Sequence, residues 1–162
     1  MKLLVSNCLI GINTRYDGKN KLDNKLLSFL LKNNIDFYPL CAEQLGGLTT
    51  PREPSEIENG YTARDVLNGK GRVLTKNRED VTKNFVKGVK EVLEFCKSVD
   101  ITHAILADKS PSCGYNKIYD GSFKGNLIDG KGILAQLLED NGIVIIEDLK
   151  ELNARAHAPQ LP

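Results

Sequence analysis

The sequence predicts an α/β fold: a Rossmann-like open, mostly parallel sheet with helices on both faces. Three observations lead there. Short apolar runs alternate with stretches of helical periodicity along the chain. The junctions are mostly short, and strand–helix–strand alternation of this kind builds parallel sheets. The 162 residues suffice for one domain with a sizeable core. We therefore expect one domain over residues 1–150 and a loose C-terminal tail over 151–162.

The elements follow in order. "KLLVS" (2–6) reads as a buried strand. "DNKLLSFLLKNN" (23–34) has apolar residues at 26, 27, 30 and 31, which is helical spacing. "IDFYPL" (35–40) is the next strand. Residues 41–79 are long and turn-rich, and so much irregular chain in a compact domain is usually functional. "REDVTKNFVKGVKEVLEFCKSV" (78–99) is the clearest helix, with Val81, Phe85, Val89, Val92, Leu93 and Cys96 on one stripe. Asp80 is its expected cap. "ITHAILA" (101–107) is a strand, a helix begins at about 132 and stops at Gly142, and "IVIIE" (143–147) is the last strand. The final "ARAHAPQLP" has no periodicity.

Composition excludes several classes. The formal net charge of +1 gives no general pull toward nucleic acid or an anionic membrane. No apolar run approaches the roughly 18 residues needed to span a bilayer. The first residues resemble a weak signal peptide, but Ser6 and Asn7 interrupt the run, so a cytoplasmic protein is expected. In that compartment the four cysteines are metal ligands, catalytic thiols or packing residues rather than disulfides.

Three of the cysteines share a position in the predicted topology. Cys8 follows the first strand, Cys41 the second, and Cys113 lies in the loop after the third. In an open parallel sheet all carboxyl ends lie on one edge, where ligands bind, so the three thiols are expected to converge. Cys96 sits on a helical stripe and reads as core. His103 alternates with apolar strand residues, and His157 lies in the tail; neither reads as a ligand.

A structural zinc ion takes four ligands, usually in paired C-x-x-C units, which are absent here. A three-thiolate catalytic zinc site with no histidine is unusual. A 4Fe–4S cluster held by three cysteines keeps one iron open to an exogenous ligand. Two other readings stay open: a cluster-containing sulfur carrier or redox sensor, and a metal-free thiol enzyme using Cys113 as nucleophile.

The flanks supply further candidates. Glu43 lies two residues from Cys41 and is placed for acid–base work. Ser110 and Ser112 offer hydroxyl donors to a substrate or to sulfur. Arg15, Arg52 and Lys117 are candidate anchors for an anionic or carbonyl-rich substrate. Gly46 and Gly47 suit a tight backbone path. Both "YDG" segments, 16–18 and 119–121, suit turns.

These motifs resemble those of the 2-thiouracil desulfidase family. "VSNCLIGINTRYDG", "PLCAEQLGGLTTPREP" and "KSPSCGYNKIYDGSFKG" carry the resemblance in order, joined by "GRVLTKNREDVT" and "DGKGILAQLLEDNGIVII". It covers residues 3–147. The resemblance implies an oxygen-sensitive 4Fe–4S cluster on Cys8, Cys41 and Cys113, with Glu43 and Ser110, and then Ser112, as functional residues. It implies removal of sulfur from a small thiolated pyrimidine such as 2-thiouracil, without a redox partner. Ala42, Asn7 and Thr49 depart from the residues usual in the family, and none of the three is a proposed ligand, acid or base. Large nucleic acid and a membrane are not expected partners; oligomeric state leaves no mark on the sequence.

Overall fold

The computed structural model describes residues 1–158. In chain order it contains β1 (Lys2–Ser6), a 3-10 turn (Asn7–Ile10), α1 (Asn24–Lys32), β2 (Asp36–Leu40), α2 (Ala42–Leu45), β3 (Ser55–Ile57), α3 (Ala63–Leu67) and β4 (Val73–Thr75). Then follow α4 (Thr82–Ser98), β5 (His103–Ile105), β6 (Lys117–Tyr119), β7 (Leu127–Asp129), α5 (Ile133–Asp140), β8 (Val144–Ile145) and α6 (Leu149–Ala156).

Four strands form an all-parallel sheet in the order β2-β1-β5-β8. Side chains alternate across it as the pleat requires. From β1, Leu4 enters a core built largely from α2 to α5, while Leu3 and Val5 enter a second core with α1 and α6. From β5, Ala104 belongs to the first face and Ile105 packs on the second. Both faces are thus covered, as the sequence predicts. The chain runs from β1 to β2 in one direction along the sheet, and β5 then lies on the other side of β1. That reversal opens a crevice at the carboxyl ends of β1 and β5.

Helix boundaries move inward from the expected ones. Asp23 caps α1, accepting hydrogen bonds from the Lys25 and Leu26 amides. The long helix starts at Thr82 with Val81 as its N-cap, and Asp80 accepts the Thr82 N–H from one position upstream. The irregular 41–79 region contains two short helices and a two-stranded antiparallel sheet, β3–β4. A second antiparallel pair, β6–β7, interrupts the expected run between β5 and α5.

The expectation of a loose tail from 151 is corrected. Residues 149–156 form α6, capped by Asp148, and Leu152 is fully buried with Leu3, Val5 and Leu30. Eight residues are too few for a stable helix on their own even with good helix formers, so α6 is held here by its docked apolar side. His157 closes α6, its ring nitrogen against the Asn153 carbonyl. The rest of the expected tail, 159–162, lies outside the described residues. Among the described residues no helix is long and apolar enough to cross a membrane.

Candidate active site

One cavity of about 480 Å³ opens at the carboxyl edge of the sheet, and Cys8, Cys41 and Cys113 all line it. Each thiol arrives on a different element. Cys8 lies in the 3-10 turn directly after β1. Cys41 follows β2 and is the N-cap residue of α2, where its side chain makes no capping bond. Cys113 lies in the loop between β5 and β6. All the cysteines are free. Cys96 is on the α4 stripe and fully buried, as expected, and burial pushes its thiol up to about 11.

The loops are held by close backbone packing. Helix α2 presses on α4 at two glycines. A Cβ at Gly88 would lie 1.8 Å from the Ala42 carbonyl oxygen, and one at Gly46 would lie 2.0 Å from that of Asn84. Asn84 Nδ2 donates to the Gly46 carbonyl at 2.9 Å across the same contact. Gly47 has φ +89°, which its lack of a side chain permits. The Cys113 loop is tied to the start of α5, where Ile133 N donates to Pro111 O and Leu134 N to Ser112 O, each at 2.8 Å.

Glu43 is the centre of the polar network. Its Oε2 is paired with Arg52, at 2.5 Å from one terminal nitrogen and 2.7 Å from Nε. Its Oε1 faces Ser112 Oγ at 3.0 Å and Ser110 Oγ at 3.3 Å. The two serine hydroxyls are 2.9 Å apart, and Ser112 Oγ also reaches Cys113 Sγ at 3.6 Å. Two hydroxyl protons are therefore shared among a carboxylate, a thiol and each other, so Ser112 links Glu43 to Cys113. Ser110 Oγ also accepts the Ser112 and Cys113 amides, which shapes the loop.

The sequence reading missed Ser6. Its hydroxyl donates to Cys113 Sγ at 3.4 Å and accepts the Ala107 N–H at 3.0 Å. Its place at the end of β1, on the edge that identified the cysteines, was the available signal. Burial pushes the Cys113 thiol up to about 12; the Ser6 and Ser112 bonds pull the other way, and Cys41 and Glu43 add to the rise. The Cys8 thiol is also raised, first by burial, against Lys21, with Cys41 adding to the rise. Cys41 is thus close enough to be felt by both other cysteines.

The proposed anchors separate. Arg15 lines the cavity, paired with Asp17 at 3.3 Å. Arg52 also lines it, but is taken up by Glu43, Thr50 and the Thr14 carbonyl, so it holds the carboxylate rather than waiting for an anion. Lys117 is not among the lining residues; the β6–β7 hairpin carries it to Asp129, 2.5 Å from its Nζ, a position that does not suit an anchor. The first "YDG" segment is a turn, whereas the second is the end of β6 and the bend after it; Gly18 and Gly121 are both at positive φ. They also bring Tyr16 and Tyr119 to the cavity. His103 lies on β5, as expected, and lines no part of it.

The donor set suits a polynuclear cluster. Among the described residues, no three His, Cys, Asp or Glu side chains are grouped to hold one metal ion. Three free thiols on three loops around one cavity fit a group in which each of several irons takes its own cysteine.

A sequence model of the 2-thiouracil desulfurase family matches residues 3–149. The uncharacterized protein YbbK of Bacillus subtilis (strain 168) is 40% identical over 151 residues, covering 93% of this chain and 97% of that one. Among solved structures, the 4Fe-4S-dependent thiouracil desulfidase TudS aligns with a TM-score of 0.82 at 34% identity, over 95% of this chain and 96% of that one.

Proposed function

Because the chain belongs to the 2-thiouracil desulfurase family, we propose that Cys8, Cys41 and Cys113 hold a 4Fe–4S cluster for C–S cleavage of a 2-thiouracil-type pyrimidine. The observation that carries this is the convergence of three free thiols and the Glu43 network on one cavity. When bound, such a cluster supplies a Lewis-acidic iron without a protein ligand, suited to the substrate's sulfur. The reaction balances without a redox partner: 2-thiouracil and water give uracil and hydrogen sulfide.

The chain's own residues handle position and protons. Arg52 holds Glu43 Oε2, so Oε1, which the Ser112 and Ser110 hydroxyls orient, is the oxygen that would accept a proton from the attacking water. Ser112, almost fully buried, holds that oxygen in register with Cys113. Ser110 is more exposed to the cavity and orients the substrate. The cavity volume lies within the range of small-molecule sites. A net charge of +1 favours a small substrate over long nucleic acid. Free thiols and an air-sensitive cluster suit the reducing cytoplasm.

Two readings left open by the sequence are less well supported. A Cys113 nucleophile needs a general base at its sulfur, whereas its Sγ meets two serine hydroxyls, Ser6 and Ser112. A sulfur carrier or sensor needs no oriented carboxylate beside the thiols. Anaerobic reconstitution with iron and sulfide, followed by assay of sulfide released from 2-thiouracil, tests the proposal. Cys41→Ala is expected to lose both iron and activity; a full cluster with full activity in that variant would refute the ligand set.

A further inference from the structure

Besides Glu43 and the exposed Asp108, the cavity is lined by a buried carboxylate, Glu56. It lies in the middle of β3, opposite Leu74, and is 7% exposed. Its neighbour Ile57 enters the core, so strand alternation turns Glu56 the other way, toward the cavity. An acid this buried is rare without a partner. Its Oε2 accepts the Phe123 N–H at 3.1 Å. Among the described residues Oε1 has no hydrogen-bond partner, and it is not sealed off, since the one fully buried unpaired side-chain oxygen is that of Asn7.

The surroundings fix Glu56 in place. The 119–125 segment brings Tyr119, Phe123 and Gly125 to the cavity beside it. That segment is clamped to the end of β3. A Cβ at Gly121 would lie 2.4 Å from Asn59 N and 2.6 Å from Ile57 O, and Asn59 Nδ2 donates to the Asp120 carbonyl at 3.0 Å. Phe123 takes φ +58°, a left-handed conformation rare for a bulky residue and typical of functional sites. The result is an acceptor tied to the Phe123 backbone, in a cavity that Tyr119 and Phe123 also line.

We propose that Glu56 is a specificity-determining residue that orients the pyrimidine by accepting one of its ring N–H groups through Oε1. This rests on the functional reading above. A carboxylate is acceptor-only, and a 2-thiouracil ring offers two N–H donors flanking the thiocarbonyl. Phe123 and Tyr119 supply apolar surface suited to a flat ring. A site built to bond a substrate N–H discriminates strongly against an analogue lacking it.

The test compares wild-type holoenzyme with Glu56→Gln and Glu56→Ala on 2-thiouracil, 1-methyl-2-thiouracil and 3-methyl-2-thiouracil. Wild type should lose about 10- to 100-fold in kcat/KM on one methyl analogue, chiefly through KM. Both variants should lose about as much on 2-thiouracil and no longer penalise that methyl group. Glutamine keeps the volume and the Phe123 contact, so iron content and melting temperature should hold in that variant. Calorimetric binding of uracil, 1-methyluracil and 3-methyluracil to the same holoenzymes should repeat the pattern without turnover. Methyl discrimination that survives in both variants, or is absent in wild type, overturns the assignment. If wild type releases no sulfide from 2-thiouracil, the functional reading fails by itself. The calorimetric arm then decides Glu56 alone: uracil binding unchanged by Glu56→Gln overturns it.

Discussion

Gly88→Ala separates what a helix prefers from what this site needs. Gly88 lies in the middle of α4, where replacing glycine with alanine normally stabilises by about 1 kcal/mol. Here the new methyl group would stand 1.8 Å from the Ala42 carbonyl oxygen and 2.9 Å from Gly46 N. Both are backbone atoms, so no rotamer change relieves the overlap. Helix α2 must retreat by more than about 1.5 Å to reach ordinary contact. Overpacking of this kind costs about 3 kcal/mol or more, and the retreat also strains the Asn84–Gly46 bond. The net expectation is a loss of about 2 kcal/mol, or about 4–8 °C in melting temperature. Because α2 carries Cys41 and Glu43, iron content after reconstitution should fall as well. Urea unfolding followed by circular dichroism, with iron and sulfide analysis of the same samples, reads both. A variant more stable than wild type with a full cluster would refute the packing argument.

Three further outcomes are expected. Arg52→Gln leaves the Glu43 carboxylate buried without its cation, which should cost about 3 kcal/mol by chemical denaturation, and adding Glu43→Gln should recover part of that. Leu152→Ala should cost about 3 kcal/mol by the same measurement, since α6 docks through that fully buried side chain; a loss under about 0.5 kcal/mol would mean α6 adds little. His103 has its pKa lowered from the usual 6.5, first by burial, then by Arg155 and the N-terminus, against Glu151. The unfolded chain therefore binds more protons below about pH 6.5, so stability should fall as pH drops through that window. His103→Gln should flatten that part of the stability–pH curve.

The parts of the fold visible in the sequence were those with a long enough period. Helices α1, α4 and α5 show repeating apolar spacing, and β1, β2 and β5 show as short apolar runs before polar loops. That sufficed to bring the three cysteines to one edge, because parallel topology does the rest. Strands β3, β4, β6 and β7 are three residues each and, unlike the equally short β5, are not embedded in a longer apolar run. Helix α6 was illegible because eight residues hold too short an apolar pattern, although most of them are good helix formers, and its order is completed by docking Leu149 and Leu152 onto the sheet. Proximity in sequence misled at Lys117, four residues from Cys113 yet carried off by a hairpin. Arg52 was visible as a charge, but its commitment to Glu43 is a tertiary fact between helix α2 and the loop that follows it. Glu56 sits in a polar, unpatterned stretch, and only the clamped 119–125 segment reveals it.

The three segments that carry Cys41, Cys8 and Cys113 leave strands β2, β1 and β5, which are immediate neighbours in the sheet. Adjacent strands keep a lateral spacing of about 4.8 Å whatever their side chains. The sheet therefore acts as a ruler. It sets how far apart the thiols start, while the loops only trim the final approach. Lining residues such as Asn7 can then change and reshape the pocket with the gauge that spaces the thiols left intact. A change in strand order or a slipped register would erase that gauge even if every cysteine were kept.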